Sequence, residues 1–325
     1  MKKLNKIMLL MALLPLLFVS SCKDDDPAPA DAFGIMTEYM MANDLDVDKV
    51  ISGWITARPV NENGTAKTPA EIEAWAAGYY IMDIRSTAHF GEGHIKGAHS
   101  STLASIVADA GSADKPILVV CYSGQSASHA TVALRLSGHP DAKVLKWGMS
   151  GWTRENECDK WTGATASGAK QSGNWTMDGT ADLGTYEYPT ISSTSTDGAT
   201  ILAERVAVMT EKGFQGVAST DVYGTPSNYL INNYWDDASI TEYGNITSAY
   251  QINPLTLAGD NFKAYDPAAM NVTYCWTGQT SSMVTAYLTV LGYNAKSLKN
   301  GVNSMIYDDL NAHKWTTLTF DYPVE

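Results

Sequence analysis

The chain has 325 residues, 45% of them hydrophobic and 18% charged, and a formal net charge of −13. That apolar share is enough for real cores, and the length beyond a short leader suits two domains of ~100 to 200 residues each. The acidic balance, with no basic patch anywhere along the chain, argues against nucleic acid or a bare anionic membrane surface as a partner.

Residues 1–21 carry Lys2, Lys3 and Lys6, the apolar stretch Ile7 to Val19, and the small pair Ser20, Ser21 before Cys22. This is the layout of an export signal, with an apolar run too short for a comfortable membrane span. The residues V S S C resemble the bacterial lipobox. They predict a lipoprotein signal peptide over 1–21 and lipidation of Cys22, tethering the protein to a bacterial membrane at the cell envelope, on the outer-membrane or periplasmic side. Residues 22–32, with Asp24, Asp25, Asp26, Pro27 and Pro29, read as a charged, extended tether that cannot bury a core.

A first module is expected over 33–158. Tyr79 to Ile84 and Ile117 to Val120 read as buried strands, and Ser126 to Leu136 places Ala127, Ala130, Ala133 and Leu134 at helical spacing before Gly138 and Pro140 end it. Lys143 to Lys146 is a further short strand. This rhythm predicts a parallel α/β sheet, whose sites lie in loops beyond strand C-termini. Cys121 occupies such a loop, in I L V V C Y S G Q S. The small residues Ser123, Gly124 and Ser126 let backbone N–H groups converge there on a sulfur anion ahead of a helix N-terminus, which is the setting of a nucleophile.

Residues 159–198 are expected to link the modules, since 163–200 is rich in Gly, Ser, Thr and Ala. The second module, 199–325, parallels the first. The run from Leu288 to Gly301 repeats that from Leu134 to Gly148, and V T Y C W T G Q T repeats the cysteine loop around Cys275. Tyr80 I M D I R aligns with Tyr229 L I N N Y, and His94 I K G A with Asn245 I T S A. The expectation is a tandem duplication and not a solenoid.

With Cys22 lipidated, Cys121, Cys158 and Cys275 remain, so at least one stays free within a monomer. A Cys121 to Cys158 or a Cys121 to Cys275 bridge stays open. Cys158, in E N E C D K, has acidic neighbours that should raise its thiol. The scattered His and Cys residues lack ligand spacing, so neither a metal nor a cofactor is expected. Trp147, Trp152, Trp161 and Trp175 read as packing area more than as a carbohydrate surface.

Four motifs occur in order: D I R at Asp83 to Arg85, G H I K G A at Gly93 to Ala98, C Y S G Q S A at Cys121 to Ala127, and V L K W G M S G W at Val144 to Trp152. Together they resemble the rhodanese family of sulfurtransferases. The second module is similar only at C W T G Q T S and L K N G. It has Asn232 and Tyr234 where Asp83 and Arg85 stand, and Asn245 and Ser248 for His94 and Gly97. The resemblance implies two rhodanese-like α/β modules, each a mainly parallel sheet flanked by helices. It implies a catalytic Cys121 that carries sulfur as a persulfide, with Cys275 as a second candidate. Tyr122, Ser123, Gly124, Gln125, Ser126 and Ala127 would form the substrate-binding loop, supported by Asp83, Arg85 and His94.

The implied partners are a small sulfur donor and a thiol or cyanide-like acceptor, a redox protein among the acceptors. Many family members have arginine at the sixth loop position, where this chain has Ser126 and Thr280, so a weak preference for thiosulfate is expected. The competing expectation is a catalytically inactive rhodanese-fold binding or scaffold protein at the envelope.

Overall fold

The computed structural model describes residues 31–325 as one compact unit. The expected signal peptide, the lipidation at Cys22 and nearly all of the expected tether lie outside the described residues. Among the described residues, no helix is long and apolar enough to cross a membrane.

Five short strands form the first sheet: β1 (Ile55–Thr56), β2 (Tyr80–Asp83), β3 (His99–Ser100), β4 (Ile117–Val120) and β5 (Lys143–Leu145), in the spatial order β1-β5-β4-β2-β3. All neighbours are parallel. β2, β4 and β5 sit where the apolar runs predict them, whereas the edge strands β1 and β3 are not among those predicted; the run over β4 is buried on both faces, as a parallel sheet covered by helices requires. The period of two divides the residues: Met82, Ile117 and Val119 face one core, whereas Ile81, Leu118 and Val120 face another with Met149 and Trp152.

A strap between the halves contributes β6 (Trp175–Thr176). The second sheet comprises β7 (Gly216–Val217), β8 (Leu230–Asn233), β10 (Asn271–Tyr274) and β11 (Ala295–Leu298), ordered β7-β11-β10-β8 and again parallel. It repeats the first sheet less its edge strand. In the place of β3 only Tyr250 remains, in a parallel bridge to Asn232, while β9 (Asn245–Ile246), just before it, pairs antiparallel with β6.

This topology corrects the alignment of the two halves by one residue. Asp83 pairs with Val120, and Asn233 pairs with Tyr274, so Asn233 and not Asn232 is the counterpart of Asp83. The next helices confirm the shift: Ser86 caps Thr87–Glu92 as Asp236 caps Asp237–Tyr243. Trp235 therefore stands where Arg85 does. A period-two strand tolerates no slip of one, because each slip exchanges its faces.

The halves meet through their loop helices, Gln125–Leu136 and Gln279–Val290, which are buried on nearly every side. Small residues on both allow this approach. Several of their buried hydroxyls pair with the backbone one turn back: Ser128 donates to Gly124 O at 2.7 Å, Thr131 to Ala127 O at 2.9 Å and Thr289 to Thr285 O at 2.8 Å. One apolar cluster runs through this seam, from Val119 and Leu134 to Met283 and Leu288, and each sheet has its own second cluster on the far face.

The strap over 159–197 is ordered against the second half by backbone bonds such as Ala166 N to Asn303 O at 2.9 Å and Ala181 N to Ala249 O at 2.8 Å. The last residues return to the first half, where Tyr322 N donates to Trp152 O at 3.0 Å and His94 and Glu325 exchange two backbone bonds of 3.0 Å.

Candidate functional site

Cys121 follows β4 directly and lies beneath the helix Gln125–Leu136. Its sulfur accepts hydrogen bonds from the backbone N–H groups of Gly124, at 3.1 Å, and Ala127, at 3.3 Å. Both belong to the helix start, whose N–H groups have no intrahelical partner and carry the positive end of the dipole. The geometry is that of an anion cradle. The residue itself is only 1% exposed, so the sulfur is not at the floor of the open pocket that a loop nucleophile suggests.

Two glycines make the cradle possible. Gly124 has φ +84° and a Cβ there would collide with the Gln279 amide, while Gly148, at φ +61°, lies so close to Cys121 O and Gly124 N that no side chain fits. Gly148 belongs to the V L K W G M S G W motif, which acts as the floor of the loop. Met149 N donates to Cys121 O at 2.8 Å, and the Ser150 hydroxyl donates to Tyr122 O at 2.7 Å and Cys158 O at 2.9 Å.

Asp83 and Arg85 form a buried ion pair beside the loop. Arg85 Nη2 lies 2.7 Å from Asp83 Oδ2 and its Nε donates to both carboxylate oxygens at 3.1 and 3.0 Å. The same fork donates to Gly93 O at 2.6 Å and to Cys158 Sγ at 3.3 Å. Burial opposes the Arg85 cation, but the Asp83 hydrogen bond and charge outweigh it and leave the guanidinium above its ordinary value. The guanidinium also lies 5.9 Å from the centre of the Tyr122 ring. This pair thus joins three of the four motifs.

His94 takes another place. It stacks on Phe90, its Nδ1 contacts Phe90 O at 2.9 Å, and its Nε2 is 3.7 Å from Glu325 Oε1, so it clamps the C-terminal tail. The histidine that does touch the loop is His89, whose Nδ1 is hydrogen-bonded to the Tyr122 hydroxyl. Nothing in its sequence setting marks it. Only the capped helix Thr87–Glu92 brings it over Tyr122.

Cys121, Cys158 and Cys275 are free thiols, so neither open disulfide is formed. Burial pushes the Cys158 thiol up, against the Arg85 charge, and the carboxylate that adds to the rise is Asp83. The direction is the expected one, but the cause is not the flanking Glu155, Glu157 and Asp159. The side chains of Glu155 and Glu157 point to solvent.

The second loop resembles the first only in outline. Cys275, 3% exposed, accepts from Ser281 N at 3.3 Å and its S–H is directed at Ser281 Oγ, 3.6 Å away. In place of the ion pair, Trp235 lies 4.4 Å from the Trp276 ring, and neither polar atom of the Asn233 side chain has a hydrogen-bond partner among the described residues. Of the four tryptophans expected to pack, Trp152 and Trp161 are fully buried, and Trp147 and Trp175 are half-buried. Ser126 and Thr280, at the sixth loop positions, are both partly exposed.

Comparison with known proteins places the first half in a known group. The profile of the Rhodanese-like domain matches residues 67–155. A thiosulfate sulfurtransferase, GlpE of Shewanella oneidensis, is 38% identical over 79 residues, which is 23% of this chain and 77% of the relative. Among solved structures, a rhodanese-related protein of Thermoplasma volcanium aligns with 29% of this chain and 93% of its own, at 17% identity and a TM-score of 0.25. A thiosulfate sulfurtransferase of Pseudomonas aeruginosa aligns with 89% of this chain, at 16% identity and a TM-score of 0.30; the chain spans about half, 48%, of its length.

Proposed function

The chain belongs to the rhodanese family, and from that premise we propose that it is a sulfurtransferase working through a persulfide on Cys121. The observation that carries this reading is the convergence of the Gly124 and Ala127 N–H groups on one sulfur at a helix start. A terminal persulfide sulfur is anionic and polarizable, so such a cradle holds it with neither metal nor cofactor.

In the proposed cycle the Cys121 thiolate attacks the outer sulfur of a donor. A new S–S bond forms to Cys121, the donor's S–S bond breaks, and the donor leaves with that electron pair. An acceptor thiolate or cyanide then attacks the terminal sulfur and leaves Cys121 as thiolate, so the sulfur moves without net oxidation of the protein. Ser126 offers a sulfonate-like donor no guanidinium, which favours less charged polysulfides over thiosulfate. The export-type leader supports a place of work at the cell envelope, with the protein held by lipid on Cys22. The second half reads as a degenerate copy of the first.

Mass spectrometry after exposure to polysulfide or thiosulfate tests the reading. The Cys121 peptide should gain one sulfur atom that cyanide or reductant removes. The 1% exposure of Cys121 favours a second reading, a rhodanese-fold scaffold without transfer, and no adduct from either donor on a folded protein would put it ahead.

A further inference from the structure

One peptide unit, that joining Ser123 to Gly124, touches the sulfur from one side and the second half of the protein from the other. Its N–H donates to Cys121 Sγ at 3.1 Å. Its carbonyl, on Ser123, accepts twice: from Nε2 of Gln279 at 3.0 Å and from the indole N–H of Trp161 at 3.1 Å. A trans peptide is planar and its N–H and C=O point in opposite directions, so donors that hold the oxygen also set the direction of the N–H. Hydrogen bonds to the oxygen further polarise that N–H.

The second loop supplies an internal comparison. Its matching peptide joins Thr277 to Gly278. Gln125, the counterpart of Gln279, sends its Oε1 to the Asn300 N–H at 2.7 Å and its Nε2 to Ser123 Oγ at 3.0 Å. Trp315, which stacks on Trp161, is 3% exposed, and its indole N–H has no partner among the described residues. Here the sulfur of Cys275 is met by the Ser281 N–H alone and gives its own proton direction to Ser281 Oγ. Where the peptide oxygen is tied, two N–H groups reach the sulfur. Where it has no partner among the described residues, one does.

We propose that Gln279 and Trp161 are positioning residues that aim the Gly124 N–H at the Cys121 sulfur. The second half thereby serves as a brace for the first half's cradle. This deepens the sulfur-transfer reading and rests on it for its function, though the geometry can be tested alone.

The test uses Gln279→Met, which keeps length and loses the donor, and Trp161→Phe, which keeps an aromatic ring and loses the N–H. Labelling serine with ¹³C at the carbonyl and glycine with ¹⁵N restricts an amide NMR spectrum to Ser–Gly peptides, among them Ser123–Gly124. The Gly124 amide proton should move upfield in both variants, and the rate of single-sulfur loading on Cys121 should fall about tenfold, less than the roughly 10²- to 10³-fold for outright removal of one preorganised donor, because the N–H is misaimed and not lost. If Gln279→Met does not fold, Trp161→Phe decides from a different element. A Gly124 resonance that stays in place in a folded variant overturns the proposal, whatever happens to loading. A wild-type protein that takes no sulfur from any donor would sink the transfer reading and leave the resonance to decide this one.

Discussion

Trp161 and Trp315 stack across the two halves, with ring centroids 5.7 Å apart and 23° between planes, yet their indole N–H groups differ in fate. Trp161 donates to Ser123 O at 3.1 Å, while the Trp315 N–H is buried without a partner among the described residues. Their unequal bonding separates a loop with a two-donor sulfur cradle from one without.

That inequality predicts unequal roles for the two cysteines. Cys121→Ser should abolish both the persulfide adduct and sulfur release to cyanide, because a hydroxyl cannot replace the thiolate. Cys275→Ser should retain most of either signal. Equal loss in the two variants, measured by cyanolysis after polysulfide loading, would overturn the ranking of the loops.

The partly exposed sixth position offers a gain-of-function experiment. Ser126→Arg places a guanidinium beside the cradle, and a charge-assisted hydrogen bond of about 1.5 to 3 kcal/mol corresponds to roughly tenfold or more in kcat/KM for thiosulfate. Turnover of a neutral organic trisulfide should change far less. If both donors respond alike, the missing arginine is not what sets donor preference.

The buried pair of Asp83 and Arg85 should behave asymmetrically under mutation. Asp83→Ala leaves a guanidinium buried without its carboxylate and should cost about 3 to 5 kcal/mol in urea unfolding. Combining it with Arg85→Met removes the stranded charge and should recover part of that loss. The second half already shows an uncharged arrangement, with Trp235 and Asn233 in the equivalent places. A double variant no more stable than Asp83→Ala would contradict this account.

His129 predicts an acid limit on stability. Burial between the loop helices, with the Phe214 ring edge-on at 6.0 Å, pushes its imidazole down to about 4. The folded protein therefore keeps it neutral while the unfolded chain takes up a proton below about pH 6.5. Its stabilising effect is fully present above that value and declines as pH falls toward 4, by up to about 3 kcal/mol. His129→Leu should flatten unfolding free energy across this window, and an unchanged slope in the variant would assign the pH dependence elsewhere.

Much of the site is legible in the residue order alone. The motifs at Asp83, Cys121 and Val144 meet around one loop because each lies at or just beyond the end of a parallel strand, and parallel topology brings such ends together, while the motif at Gly93 is tied in by Arg85. His94 shows the limit of that reasoning. It sits within a motif, but the C-terminal tail claims it, and a contact between residues 94 and 325 has no local signature. The one-residue error in aligning Asn232 with Asp83 has a similar origin: N N Y and D I R match equally well in either register until strand pairing chooses.

The sequence by itself determined the central strands, the loop helix after Cys121 and the two similar cysteine loops, because apolar periodicity, small residues and repeated spacing are local properties of the chain. Only the tertiary structure decided that the two loops are unlike. Whether Gln279 crosses the seam to Ser123, whether an indole N–H finds a carbonyl, and whether a cysteine receives two N–H groups or one depend on how two nearly equivalent surfaces meet. A buried donor is satisfied by whichever acceptor packing brings within reach, and two similar halves packed together do not bring the same one to each.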